Sequence, residues 1–242
     1  MRMGLDMSLA RLSSTSTPFT PASLSPNAWY DPSDLTTLYQ TGTRASPGAA
    51  VAADGDPVGL MLDKSGNNAD LAQITAARRA IYKTAGGLRW LEFDGVDDYI
   101  FTPLVLSQPY DRLTSMRIDT WAGNRYMLDG NTDQAVLRQN GASPNVSQYA
   151  GGVGADNGAM SLGAAHVVTE HFEGASSILK IDSTSVATSV GASGTTFFTI
   201  GAAPAPGNYA PIKFYGGILK AGTMSAGDLA KAQAYLAGKA GI

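Results

Sequence analysis

Apolar and polar residues alternate along most of this chain with a period of two, the pattern of strands that bury one face. In "SSILKID", Ile178, Lys180 and Asp182 fall on one face and Leu179 and Ile181 on the other. In "HVVTEHF", Val168, Glu170 and Phe172 oppose Val167, Thr169 and His171. Strands are expected at 99–106, 113–120, 125–128, 134–139, 146–149, 159–162, 166–172, 177–181, 196–200 and 212–220, separated by Gly, Asn and Asp turn signals. Turns every roughly 8–12 residues predict an all-β sandwich or jelly roll of two antiparallel sheets.

The period changes at both ends. In "MSAGDLAKAQAYLAGKAGI" the spacing of Leu229, Ala232, Gln233 and Leu236 is helical. Ser225 stands at the cap, Asp228 at the capping-box position and Gly241 at the stop, so one short helix should close the chain. At the start, Met1 to Leu12 suits a short amphipathic helix or an arm, and Ser13 to Pro26 is Ser/Thr/Pro-rich and extended. Residues 1–27 therefore form an N-terminal arm, either a disordered leader or a segment that orders on a partner. Residues 28–242 form the sandwich domain.

Composition narrows the function. A net charge of −3 on 242 residues gives no nucleic-acid surface. Cysteine is absent, which removes disulfides, thiolate metal sites and cysteine nucleophiles. His166 and His171 are the only histidines. With so few, neither a histidine-built metal site nor a catalytic triad is expected, and because they lie five apart on a strand and face opposite sides, a shared metal is not expected either. No apolar run spans a bilayer, and the first residues lack the apolar core of a signal peptide. The expectation is an intracellular product that leaves the cell only within an assembled particle. A chain with only 15% charged residues suits a subunit buried against its neighbours.

One stretch concentrates carboxylates: "WLEFDGVDDYI", Trp90 to Ile100. Glu92 and Asp94 would share a strand face, while Asp94-Gly95 starts a turn or bulge. Asp94, Asp97 and Asp98 offer hard oxygens to calcium, and equally the self-capping carboxylates of a turn. No cofactor is required. In "DKSGNNA", Asp63 to Ala69, a ligand loop competes with a side-chain-stabilised turn, and the turn is favoured. A sugar site needs aromatic platforms beside amides and carboxylates. Trp121, Asn124, Tyr126, Asn145, Tyr149, Asp156, Asn208 and Tyr209 supply these near Gly-rich loops. Trp29, Trp90, Phe93, Tyr99 and Phe101 read as core or interface residues.

In order, "AWYDPSDLTTLYQ", "GDPVGLMLDKSGNNADLAQ", "ARRAIYKTAGGLRWLEFDGVDDYI" and "IKFYGGILKAGTMSAGDLAKAQAYLAGKAGI" resemble the concanavalin A-like (laminin-G-like) jelly-roll domains of virion or tail-associated proteins of tailed phages, prophages and gene-transfer particles. The resemblance covers Ala28 to Ile242; "DKSGN" and "FDGVDDY" are its most specific pieces, and Leu113 to Gly207 departs most. It implies a concanavalin A-like sandwich, with calcium often held at loop aspartates. Polysaccharide-cleaving members of the fold carry Glu-x-Asp-x-x-Glu on one strand, which would assign Glu92, Asp94 and Asp97. Here Gly95 interrupts that strand and Asp97 is shorter than Glu. The leading expectation is accordingly a non-enzymatic component of a particle, a head spike, fibre, decoration or tail protein that attaches to host surface polysaccharide. Its partners would be sister subunits in a cyclic homo-oligomer and, through the arm, a capsid or tail protein, with no nucleic acid and no membrane insertion. It would be made in the bacterial cytoplasm and displayed on the particle. The alternatives are a polysaccharide depolymerase, a glucanase-like hydrolase of the same fold, and an architectural subunit without ligand.

Overall fold

The computed structural model describes residues 18–131, 134–203 and 207–242. Residues 1–17 of the expected arm lie outside them. The described residues 18–27 include a 3-10 turn, Pro21–Leu24, whose Leu24 packs with Phe19 beneath the C-terminal helix.

Two antiparallel sheets form the sandwich. The eight-stranded sheet runs Thr184–Ala187, Ile178–Ile181, Ala165–Phe172, Tyr110–Ile118, Ile212–Ala221, Leu88–Glu92 and Ile81–Ala85. Its eighth strand, Ala28–Tyr30, pairs with the far end of Ile212–Ala221. The nine-stranded sheet runs Ala155–Asn157, Val146–Tyr149, Val136–Gln139, Tyr126–Asp129, Thr195–Ile200, Ile100–Leu106, Leu71–Ala72, Leu60–Met61 and Leu38–Tyr39. The core lies between the sheets and is filled by their inward residues, among them Leu91, Ile100, Phe172, Phe198 and Phe214.

The alternation in the sequence corresponds to these faces. Val168 and Phe172 join the inter-sheet core, whereas Val167 belongs to a second cluster with Leu113, Ile218, Ala232 and Leu236. That second cluster is the seat of the helix Ala226–Ala240, which covers part of the outer face of the eight-stranded sheet. Its cap is the one expected: the Ser225 hydroxyl accepts from the Asp228 amide, and Gly241 closes the end in the left-handed region at φ 75°. One expected strand differs: residues 159–162 are loop, and the strand lies at Ala155–Asn157. Thr184–Ala187, rich in Ser and Thr, and the short strands Ala28–Tyr30, Leu38–Tyr39, Leu60–Met61 and Leu71–Ala72 were not expected.

A charged pair sits inside the apolar layer. Arg112 and Glu170 are cross-strand partners, 1% and 0% exposed. Arg112 Nε and Nη2 donate to the two Glu170 oxygens at 2.6 and 2.7 Å, and Nη1 donates to the Ala135 carbonyl of the opposite sheet at 2.8 Å. Desolvation pushes Glu170 up, and the bidentate guanidinium opposes that push. A guanidinium cannot surrender its proton, so the pair is ionic and removal of one partner leaves a buried charge alone. Glu170→Ala should cost about 3–5 kcal/mol in urea unfolding, and Arg112→Met with Glu170→Leu should recover most of it. A loss below about 1 kcal/mol in the single variant would contradict this reading.

Candidate functional site

The stretch Trp90 to Ile100 carries the chain from one sheet to the other. Leu91 and Phe93 point into the core, 0% and 1% exposed. Asp94 to Asp98 then turns, with Gly95 at φ 73°; a Cβ there would lie 2.6 Å from the Pro211 ring. The Asp94 carboxylate accepts from the amides of Val96, Asp97 and Asp98 at 2.7, 3.3 and 3.4 Å. The Asp98 carboxylate accepts from the Asp94 amide at 3.2 Å. This is the self-capping turn, and it gathers ligand oxygens of Asp94, Asp97 and Asp98 within 4.8 Å of one another. Burial, together with the charges of Asp94 and Asp97, pushes the Asp98 carboxyl up to about 7.

Glu92 and Trp90 alternate with Leu91 and therefore face outward from the eight-stranded sheet. Cross-strand pairing brings Lys213 opposite Glu92, and Arg117 opposite Lys213. Lys213 Nζ lies 4.0 Å from Glu92 Oε2 and 2.8 Å from Asp119 Oδ2. Asp119 also pairs with Arg117 Nε. The Trp90 indole donates to Glu92 Oε2 at 2.9 Å, its ring lies 5.8 Å from that of Tyr215, and Lys213 Nζ sits 5.5 Å from its centroid. Partial burial works to raise Asp119, but hydrogen bonds from Lys213 and Arg117 outweigh it and hold the carboxyl below its ordinary range. A cavity of about 200 Å³ opens here, lined by Glu92, Asp94, Arg117, Asp119, Thr120 and Lys213.

Of the three carboxylates named from the sequence, Glu92 and Asp94 thus line one cleft, and Asp97 belongs to the turn alone. Asp119, Arg117 and Lys213 were missed. They are remote in sequence from Glu92, and only the register of three strands unites them. The signal was parity: Arg117 alternates with the buried Met116 and Ile118, and Lys213 with the buried Ile212 and Phe214.

The glycan candidates divide. Tyr126, Arg138, Ser147 and Asp156 are successive cross-strand partners and form a row on the outer face of the nine-stranded sheet. Tyr149 stands beside them opposite Val136, and Tyr209 bridges to Tyr126. Asn140 donates to both Asp156 oxygens at 3.1 Å. The other four shape loops. The Trp121 indole donates to the Gly141 carbonyl at 2.8 Å; Asn124 and Asn208 adopt φ 63° and 54°; Asn145 closes the turn at 142–145. The "DKSGNNA" segment is a turn: Asp63 is buried and accepts from the amides of Trp29, Ser65 and Ala69.

No protein-family model matches this chain, and no curated protein matches it. Solved structures share its fold. A Trypanosoma rangeli sialidase in complex with sialic acid aligns with a TM-score of 0.54 at 13% identity, over 84% of this chain and 36% of that one. An arabinofuranosidase complexed with arabinofuranosyl-α-1,2-xylobiose aligns with a TM-score of 0.61 at 12% identity, over 92% of this chain and 65% of that one. The chain thus spans about a third of the length of the sialidase chains it matches. These likenesses establish the all-β sandwich. The expectation of a non-enzymatic attachment component is corrected to this extent: the two structures named, which share the sandwich, are a sialidase and an arabinofuranosidase. The sequence argument rested on the turn at Gly95, which does exclude an acidic triad along one strand. It overlooked a carboxylate supplied from another strand.

The Asp98 shift has a sign that can be measured. Its folded value of about 7 lies above the ordinary 3.8, so the folded state holds this proton more tightly than the unfolded chain. No penalty exists below about pH 4; stability falls as pH rises toward 7, and the full penalty persists above. Asp98→Asn should therefore raise stability at pH 8 by on the order of 2 kcal/mol, after allowance for screening at the turn, and leave it unchanged at pH 3.5. Equal effects at both pH values in thermal denaturation would contradict the assignment.

Proposed function

We propose that this chain is a carbohydrate-cleaving domain whose reacting groups are Glu92 and Asp119. The observation that carries the reading is the shared ammonium. Lys213 reaches both carboxylates, so they stand no more than about 7 Å apart, an upper limit that admits the roughly 5–5.5 Å separation of retaining glycosidase pairs. Asp119, kept ionised by Lys213 and Arg117, is suited to attack the anomeric carbon or to activate water there. Glu92, held by the Trp90 indole, is placed to give a proton to the departing oxygen. The half-buried Trp90 ring, backed by the buried Tyr215, stands beside the cleft as an apolar surface for the C–H face of a sugar. The cavity, about 200 Å³, lies below the ~300–1,000 Å³ usual for ligand pockets and suits a single ring at the end of a glycan. That the sandwich is shared with a sialidase and an arabinofuranosidase supports the same class of substrate.

The resemblance to phage-encoded domains adds a setting: an enzyme carried on a particle, tethered by residues 1–27 to a capsid or tail protein and to sister subunits, acting on host surface polysaccharide. Incubation with bacterial surface polysaccharides and with small aryl glycosides should release reducing sugar. Glu92→Gln and Asp119→Asn should each reduce release by about 10²–10⁴-fold with the melting temperature preserved. Full activity in both variants, or no release by the unaltered chain from any glycan, would overturn the proposal.

The turn fits a calcium ion as well as a self-capped loop, since oxygens of Asp94, Asp97 and Asp98 converge. We propose that calcium binds there as a structural ion, outside the reacting pair. Millimolar calcium at pH 8 should raise the melting temperature of the unaltered chain and leave that of Asp97→Ala unchanged. The same rise in both, or none in either, would contradict calcium binding.

A further inference from the structure

Ser161, His166 and Asp182 are brought together at one end of the eight-stranded sheet, where His166 pairs with Met116 and Ala165 with Arg117, and none of the three lines the Glu92 cleft. Ser161 lies in the loop that leads into Ala165–Phe172, and His166 stands at the start of that strand. Asp182 follows Ile178–Ile181, the neighbouring strand. The Ser161 hydroxyl oxygen is 2.9 Å from His166 Nε2, and His166 Nδ1 is 2.7 Å from Asp182 Oδ2. These are the two contacts of a nucleophile, its base and the carboxylate that orients the base.

Two backbone groups of Ser161 also reach His166 Nε2, the carbonyl oxygen at 3.3 Å and, closer, the amide. The Ser161 backbone amide donates to His166 Nε2 at 3.0 Å. An amide can only donate, so Nε2 carries the lone pair and the ring proton sits on Nδ1, facing Asp182. This is the tautomer a general base requires. The imidazole is buried, 6% exposed, while Ser161 is exposed. Asp182 is anchored independently: its Oδ1 accepts from the Val167 amide at 2.9 Å, and its backbone holds φ 52°, a left-handed conformation uncommon outside Gly, Asn and Asp. The amide of Leu162, the residue after the serine, makes no hydrogen bond among the described residues and is free to face a developing oxyanion. Beside Asp182 a groove of about 450 Å³ runs between the strand and the C-terminal helix, with Ala165, Val167, Ala234 and Ala237 on its walls.

We propose that Ser161, His166 and Asp182 form a serine esterase site, separate from the sugar-cleaving pair, that hydrolyses carboxylic esters displayed on large, exposed molecules. Ser161 Oγ bonds to the ester carbonyl carbon while its proton passes to His166 Nε2 and the carbonyl π pair moves onto oxygen. Collapse of that intermediate breaks the carbon–oxygen bond to the alcohol, which leaves with the proton from His166. Water, deprotonated by the same nitrogen, then attacks the acyl-serine, giving the carboxylic acid and restoring the hydroxyl. Ester and water are consumed and acid and alcohol released, with no other reactant. The exposed position of Ser161 fits an ester on a polymer better than one enclosed in a pocket.

A fluorophosphonate probe followed by peptide mass spectrometry tests this on the full chain. The adduct should map to Ser161, and p-nitrophenyl acetate should be hydrolysed. Ser161→Ala should abolish the adduct, and Asp182→Asn should slow ester hydrolysis by about 100-fold with an unchanged melting temperature. Asn keeps the acceptor for the Val167 amide and tolerates the left-handed backbone, so a folding defect would not imitate the result. An adduct absent from Ser161, or spread evenly over surface serines, would overturn the proposal. Neither outcome bears on sugar release by Glu92 and Asp119, which is read separately.

Discussion

The pairing register of Ile212–Ala221 is the constraint on which the rest depends. This strand is flanked along one side by Tyr110–Ile118 and shares its other side between Leu88–Glu92 and Ala28–Tyr30. A slip of one residue would turn Phe214 and Ile212 outward and drive Lys213 into the core. In the observed register Phe214 meets Leu91 inside, while Lys213 meets Glu92 and Arg117 outside. Burial of apolar residues thus sets the position of the charges, and the cleft is a by-product of core packing on the opposite face. The irregularity between Ser115 and Met116 lies one step from this row and marks where the long strand adjusts its pairing.

The same face carries two environments. Toward the C-terminal helix it is covered by apolar side chains, with Leu113, Val167 and Ile218 under Ala232 and Leu236. Beyond the helix its outward residues Trp90, Glu92, Arg117 and Lys213 are half-buried, with Tyr215 buried beneath Trp90. The helix decides where the boundary falls. Asp31 fastens its end, accepting from Tyr235 and Lys239, each at 2.8 Å. The sandwich is a scaffold shared among many activities, and what this chain does follows from the side chains left uncovered.

Much of the fold was legible in the sequence because local patterns reported local facts. Alternation in "HVVTEHF" put Phe172 and Val167 on opposite faces, and the structure places Phe172 in the core and Val167 under the helix; Ser225 and Gly241 marked the helix ends. The turn at Asp94-Gly95 was legible for the same reason, since its hydrogen bonds close within five residues. The site was less legible. Glu92 stood out because it is close in sequence to other carboxylates, but its effective partners, Asp119 and Lys213, are distant and reach it only through sheet order. The histidines were set aside because they are few and face opposite ways. That argument holds against a shared metal, but it said nothing of what each histidine meets on its own face. Residues 159–162 were read as a strand because Met160 and Leu162 alternate with polar neighbours. Met160 is instead buried from a loop, and Leu162 is exposed.

The central claim is that sugars bind at the Glu92 and Asp119 cleft on the outer face of the eight-stranded sheet. The most direct measurement is an amide and indole NMR titration of the full chain with the monosaccharides that make up its glycan substrate. The account predicts shifts at the Trp90 indole, at residues 92–98 and at Lys213, with little change at Tyr126, Tyr149 and Asp156 on the opposite face. Shifts confined to that opposite face, with the Trp90 indole unmoved, would contradict it.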